Sequence, residues 1–291
     1  MSIELKQLSY TYMEGTPLAR RALSAVSLTL ADGEFAAIAG HTGSGKSTLV
    51  LHLAGLLPSP QGTLMVDGVD AVGRGAEAKT ARQKVGLVFQ YPETQLFEET
   101  VAADIAFGAR NQGLDDAAVE VRVQRAMEFV SLPVSYRERS PFSLSGGEQR
   151  RVAIAGILAM QPKYLILDEP TAGLDPQSAE ALLDNLKLLH ESGTAILLVS
   201  HQMEDVARLA SRVTVLREGE VVASGRPADV FEEEETIRSA GLYPPESVLL
   251  VQALRARGLS VELDDDVLRD ESILAARIAE AHQRKGEADI C

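Results

Sequence analysis

Apolar and polar positions alternate along the first 39 residues. Ile3 to Tyr12 and Ala25 to Leu30 follow the two-residue beat of half-buried strands, and Glu34 to Ala39 is a short apolar run ending at a glycine. From Lys46 the beat lengthens to that of a helix, KSTLVLHLAGLL, whose apolar residues cover most of its surface and imply burial on several sides until Pro58 and Pro60 stop it. A turn and strand (GTLMVDG) follow, then a polar, glycine-rich loop, then VGLVF, a core strand. Residues 99–161 carry helical signals: Asp115 to Val130 has apolar positions three or four apart, and a second apolar helix begins after Gly146 and Gly147. YLILDEP and TAILLVSH read as buried strands separated by about 20 residues of helical pattern, the rhythm of a parallel sheet with crossover helices. The pattern predicts an α/β fold.

Composition narrows what such a fold can do. At 291 residues the chain can bury a sizeable core without staples, and its one cysteine, Cys291, allows no intramolecular disulfide, which suits a reducing compartment. The longest apolar stretch, Val152 to Met160, is far short of the roughly 20 residues a spanning helix needs, and the N-terminus lacks the pattern of a secretory signal. A net charge of -14 argues against binding a nucleic-acid duplex. Half of that charge lies beyond Gly225, in under a quarter of the length; Pro244-Pro245 marks a joint in this segment, and Glu232 to Glu235 is most simply a solvated face.

The strongest chemical signal is GHTGSGKST: Gly40, His41, Thr42, Gly43, Ser44, Gly45, Lys46, Ser47 and Thr48. It fits the phosphate-loop pattern and lies between a strand and a helix, as that loop requires. Glycines let backbone N–H groups converge on a phosphate, the helix N-terminus adds its positive end, Lys46 reaches the β and γ phosphates, and Ser47 offers a hydroxyl to Mg2+. A second signal is the pair Asp168 and Glu169 at the end of an apolar strand, where ligands of open α/β sheets sit. Asp168 suits the Mg2+ shell; Glu169 can swing toward the γ-phosphate as general base or water-orienting group. The third is LSGGE, Leu144 to Glu148, where Ser145, Gly146 and Gly147 head a helix and form another anion nest. One nucleotide needs one cradle at its phosphates, so the second implies a nucleotide on another subunit.

With phosphate loop, glycine-rich turn and acidic pair in this order, residues 1 to about 225 resemble the nucleotide-binding subunit of an ATP-binding-cassette transporter. The resemblance implies a phosphate-loop (RecA-like) cassette with an N-terminal antiparallel β subdomain and a helical subdomain at about 99–161; for residues 226–291, beyond it, we expect a small accessory subdomain that supports dimer contacts. It implies a head-to-tail dimer, homo- or heteromeric, in which Gly40 to Thr48 of one subunit and Ser145 to Gly147 of the other sandwich ATP with Mg2+. Gln90 resembles the glutamine that meets Mg2+ or the attacking water, Asp175 the aspartate crossing the dimer interface, and His201 the histidine contacting the γ-phosphate. Tyr12, with Tyr10 as the alternative on the same strand face, resembles the aromatic that stacks on adenine. Glu148 stands where the family usually has glutamine. A carboxylate there repels the partner's nucleotide unless it points away or pairs with Arg150 or Arg151; we expect it to face solvent, the alternative being a weakened composite site.

The stretch QYPETQLFEETVAADIAFGARNQGL, from Gln90, is similar to the ATPases of energy-coupling factor transporters, most of all to the second of their two paired types. That resemblance implies an ATPase on the cytoplasmic face of the membrane, serving import of a vitamin or transition-metal ion with a transmembrane coupling subunit and a substrate-binding membrane subunit. Tyr91, Leu96 and Phe97 among Glu93, Glu98 and Glu99 would form an apolar ridge rimmed by acids for a basic partner helix. The competing readings are an ATPase of another transporter class, a soluble cassette ATPase acting on nucleic acid or ribosomes, and a catalytically silent regulatory partner. The single cassette without coil or basic patch argues against the second, and Glu169 with His201 against the third.

Overall fold

A computed structural model describes residues 1–60 and 62–288; Cys291, and the expectation that rests on it, lie outside the described residues. The alternating segments form β1 (Ser2–Tyr12) and β2 (Arg20–Ala31), the apolar run forms β3 (Phe35–Ala39), and the helix after the glycine loop is α1 (Lys46–Leu53). Next come β4 (Leu64–Val66), β5 (Val69–Asp70), α2 (Ala76–Gln83) and β6 (Val85–Val88), then α3 (Val101–Asn111), α4 (Asp116–Phe129) and α5 (Gly146–Ala159). They are followed by β7 (Tyr164–Asp168), α6 (Pro176–Glu191), β8 (Ala195–Val199), α7 (Met203–Leu209), β9 (Arg212–Arg217) and β10 (Glu220–Gly225). Among the described residues five helices follow: α8 (Pro227–Glu232), α9 (Glu234–Ser239), α10 (Glu246–Ala256), α11 (Asp265–Arg269) and α12 (Glu271–Ala288).

These elements fall into two compact units, one of residues 1–6, 28–34 and 50–197, the other of residues 7–27, 35–49 and 198 onward. In the first, β6 and β7 run parallel in the register Val85↔Tyr164 to Val88↔Leu167, and Ala195 N–H donates to the Lys163 carbonyl at the start of β8. All five residues of β7 are buried, so the strand reads as a continuous apolar run rather than an alternating one. Helices α3 and α4 both pack on α5, and α4 turns Val119, Val123, Ala126 and Met127 inward at helical spacing.

The antiparallel part of this unit pairs Ile3 with Val66 and Leu5 with Leu64, and β4 turns into β5 through Asp67-Gly68, both with positive φ (51° and 80°). Such a turn matches the right-handed twist of a hairpin and favours this dipeptide. The Asp67 carboxylate is buried among Lys84 Nζ at 2.7 Å, Lys163 Nζ at 3.1 Å and the Tyr164 hydroxyl at 2.6 Å. Burial alone would raise its pKa; the hydrogen bonds from Lys84, Tyr164 and Lys163 outweigh that and hold the carboxyl well below the usual carboxylate range.

In the second unit, β3 and β9 are parallel from Ala36↔Arg212 to Ala39↔Val215, and β10 returns antiparallel to β9. Ser200 N–H donates to the Ile38 carbonyl, which sets the end of β8 beside β3. The helices after Gly225 pack on the same unit: α11 lies against α7 and α8, Ala228 N–H donates to Asp265 at 3.0 Å, and Glu246 N–H donates to Glu204 at 2.6 Å. One expectation changes. The polar stretch before VGLVF, read as a loop, contains α2, which buries only Ala78 and Ala81 and so leaves almost no hydrophobic signature.

Candidate functional site

The phosphate loop belongs to the second unit, and its glycines are demanded by close backbone approach. Gly40, Gly43 and Gly45 have φ of 156°, 85° and 108°. A side chain on Gly40 would run into the Leu216 carbonyl and Ser44 Oγ, and one on Gly45 would lie 2.7 Å from the Ala22 carbonyl. The floor of the loop is the turn between β9 and β10: Glu218 and Gly219 both have positive φ, and Gly219 N–H donates to the Ser44 carbonyl at 2.9 Å. Lys46 is buried, with Nζ donating to the carbonyls of Gly40 at 2.6 Å and His41 at 3.1 Å. Its charge is therefore held inside the curl of the loop. His41 Nδ1 bonds the Thr42 carbonyl at 2.6 Å. The two hydroxyls that start α1 are sorted: Ser47 is exposed, while buried Thr48 lies 3.2 Å from the Tyr12 hydroxyl.

That bond also separates the two tyrosines. Tyr12 is exposed and tied to the helix that follows the phosphate loop, whereas Tyr10 stands edge-on against it, ring centroids 4.9 Å apart at 88°. Of the two, Tyr12 is the more exposed, and Tyr10 packs edge-on against it. His201 lies two residues beyond β8 and is exposed, just before α7.

The first unit carries the remaining candidates. Asp168 ends β7, and Glu169 follows with φ of 50°, so the chain bends there and Glu169 leaves the strand's alternation; both carboxylates are buried. A left-handed conformation at a non-glycine residue costs energy and clusters at functional sites. Gln90 has an exposed side chain and a backbone carbonyl pinned by Arg150 at 2.8 Å. Asp175 is exposed and caps α6, accepting from Ser178 N–H at 3.0 Å and from its hydroxyl at 2.6 Å. Those bonds, the side-chain one foremost, lower its pKa.

At LSGGE, Ser145 is the N-cap of α5, and a Cβ built on Gly146 or Gly147 would meet nothing within 4 Å. Glu148 neither faces solvent freely nor is hydrogen-bonded to Arg150 or Arg151. Its Oε2 accepts from the Ser145 N–H and hydroxyl, both at 2.8 Å, and its Oε1 from the Tyr136 hydroxyl at 2.8 Å, which completes a capping box. The backbone bond from Ser145, then its hydroxyl, then Tyr136 lower the carboxyl to about 2. The carboxylate is therefore directed back onto its own helix, and its charge serves the cap.

The apolar ridge also differs from expectation. Leu96 is buried and Glu93 is paired with Arg150, while Tyr91, Phe97 and Phe107 are exposed, Phe97 and Phe107 meeting edge-on at 4.8 Å. Phe97 and Phe107 border a groove of about 360 Å³ lined by Phe89, Leu96, Ile157 and Met160 among others. Asp104 shapes its rim by accepting from the N–H groups of Phe97 and Glu98, both at 3.0 Å. Two contributors lay beyond the sequence reading. The Glu218-Gly219 turn could have been found from its Glu-Gly dipeptide between alternating segments; Arg150 had no signal, because nothing in the pattern tells a buried arginine from an exposed one.

A family model described as ABC transporter matches residues 23–172. The energy-coupling factor transporter ATP-binding protein EcfA2 of Clostridium perfringens is 50% identical over 263 residues, covering 90% of this chain and 92% of that protein. The protein of the same name from Symbiobacterium thermophilum is 50% identical over 277 residues, 95% and 96% of the two chains. The chain belongs to the ABC transporter family. Within it, this is an ATPase of the energy-coupling factor type, similar to EcfA2. Among solved structures, cbiO1 from Clostridium perfringens, part of the ABC transporter complex cbiONQ, aligns with a TM-score of 0.70 at 35% identity, covering 86% of this chain and 98% of that one. The cassette MJ0796 in a post-hydrolysis state bound to ADP and Pi aligns with a TM-score of 0.70 at 30% identity, covering 77% and 98%. The phosphate-loop cassette fold and ATP as ligand follow for this ATPase. Among the described residues no helix is long and apolar enough to cross a membrane.

Proposed function

We propose that this ATPase works as half of a cassette dimer, its phosphate loop holding one ATP and its LSGGE turn completing the site of a second cassette. The observation that carries the reading is the openness of that turn. Ser145 is exposed, the space at Gly146 and Gly147 is free, and Glu148 is turned away into the cap. The fold has no steric need of glycine there, whereas an approaching phosphate chain does.

In this reading, N–H groups of residues 40–48 and the Lys46 ammonium bind the phosphates, and Tyr12 covers the adenine. Exposed Ser47 and buried Asp168, with Gln90, offer oxygen donors only, which fits Mg2+; when bound, that ion neutralises charge on the β and γ phosphates. Glu169 accepts the proton of the attacking water, Gln90 orients that water, and His201 holds the γ-phosphate. Asp175 reaches the partner cassette. At the cytoplasmic face of the membrane, the groove beside Tyr91, Phe97 and Phe107 takes a helix of the transmembrane coupling subunit. A substrate-binding membrane subunit delivers a vitamin or transition-metal ion. Closure of the dimer moves the groove and, through it, the membrane partner.

The test is ATP turnover by the assembled transporter. Loss of a general base costs about 10²- to 10⁴-fold, so Glu169→Gln should lower kcat by that factor while ATP still binds. Ser145→Arg should abolish turnover but leave binding to the same chain's phosphate loop. Undiminished turnover in Glu169→Gln would reassign the base, and undiminished turnover in Ser145→Arg would remove the shared site.

A further inference from the structure

Arg150 lies in the second turn of α5, is 4% exposed, and sends its guanidinium to acceptors on separate stretches of chain. One terminal nitrogen donates to the Gln90 carbonyl at 2.8 Å, Nε donates to Glu93 Oε2 at 3.2 Å, and the other terminal nitrogen donates to the carbonyls of Ala172 and, at 3.5 Å, Pro170. Gln90 begins the segment that presents Phe97 to the groove. Glu93 sits in the 3-10 turn Pro92–Gln95 of the same segment. Pro170 and Ala172 follow the Asp168-Glu169 pair and lead to Asp175. One side chain therefore meets the docking segment and the exit of the acidic strand, and the helix that carries it is headed by LSGGE, the turn offered to the second cassette.

A buried guanidinium opposite a single carboxylate is tolerable only if its remaining donors are satisfied, and here three carbonyls satisfy them. Planarity makes the arrangement directional: the fork fixes where four acceptors lie relative to one another, which a point-charge ammonium cannot do.

We propose that Arg150 is a positioning residue which locks the Gln90 segment and the Pro170–Ala172 segment to the LSGGE helix, so that movement at the docking groove reaches the hydrolytic residues as one displacement. This rests on the transport reading above. Arg150 touches no nucleotide in this account. It acts through Gln90 and through the segment between Glu169 and Asp175, with Glu93 as the link to the groove.

The experiment uses the complete transporter in vesicles, wild type against Arg150→Lys, Arg150→Met and Glu93→Gln. It measures KM for ATP, kcat per nucleotide-binding site and substrate moved per ATP hydrolysed. A displacement of about 1 Å among reacting groups can cost 10²-fold, so Arg150→Met should lower kcat by about tenfold to a hundredfold with KM for ATP nearly unchanged. Arg150→Lys should recover little of the rate, and both Arg150→Lys and Glu93→Gln should move less substrate per ATP than wild type. That ratio does not depend on how much protein is folded, so Arg150→Lys and Glu93→Gln decide the matter even if Arg150→Met fails to assemble. Full recovery in Arg150→Lys, or wild-type substrate-to-ATP ratios in both milder variants, would overturn the proposal. If Glu169→Gln abolishes turnover while the Arg150 variants behave as wild type, the positioning role fails and the transport reading stands; if Glu169→Gln turns over normally, the hydrolytic reading itself fails.

Discussion

The phosphate loop and the LSGGE turn are both glycine-rich openings onto a helix, yet the structure treats their glycines oppositely. In the loop, positive φ and backbone crowding at Gly40 and Gly45 require glycine for the chain's own folding, and Lys46 is already held inside the curl. In the turn, Gly146 and Gly147 meet nothing, and a complete capping box of Ser145 and Glu148 supports the helix without them. The first cradle is finished within one chain. The second is a surface left bare, and its glycines are not there to relax the backbone.

The largest effect that would break this comparison is loss of the loop's charge. Charge-assisted hydrogen bonds contribute about 1.5–3 kcal/mol each, so Lys46→Ala, removing several to the phosphates, should weaken ATP binding by about 10²-fold or more. Titration of the purified ATPase with a fluorescent ATP analogue measures it, and no Ser145, Gly146 or Gly147 variant should match that loss. Next in size is a stability contrast. Gly45→Ala forces a side chain toward the Ala22 carbonyl in a left-handed conformation and should destabilise by about 1–3 kcal/mol. Gly146→Ala, at the first position of α5 with open space, should be neutral or stabilising by up to about 1 kcal/mol. Urea unfolding compares the two; equal destabilisation would mean the turn is as constrained as the loop.

The smallest effect concerns the cap. Glu148 is held at about 2 by its bonds from Ser145 and Tyr136, below the ordinary glutamate value of about 4.3. A depressed pKa in the folded state means stabilisation that is present above the ordinary value and lost as pH falls from about 4.3 toward about 2. Glu148→Ala should thus cost about 0.3–1.5 kcal/mol at neutral pH and show a weaker acid dependence than wild type across that window. Glu148→Gln, which can still close a capping box, should cost less. Thermal denaturation at pH 7 and pH 3 checks the order.

The candidate residues for chemistry were legible because their spacing is tied to backbone geometry. A phosphate loop must lie between strand and helix, and an acidic pair must follow an apolar strand, so GHTGSGKST and YLILDEP could be placed before any contact was known. Helix α2 was not legible, since its inward residues are alanines, and neither was the floor under the phosphate loop, since the Glu218-Gly219 turn meets Ser44 only after the chain has crossed most of its length. The ridge was half read: the sequence marks Leu96 and Phe97 alike as apolar, and only packing buries one and exposes the other.

Local pattern alone was enough to establish the α/β order of elements and to single out two glycine-rich helix starts and an acidic pair, because each depends on neighbours within a few residues. Which charges are spent inside the fold was decided by tertiary structure. Asp67 carries no signal in the sequence and proves to be a buried ionic hub; Glu93 reads as a rim acid and is held by Arg150; Glu148 reads as a solvent-facing substitution and closes a cap. A carboxylate's role depends on which donors lie within about 3 Å of it. That distance is set by segments remote in sequence, and no one-dimensional pattern records it.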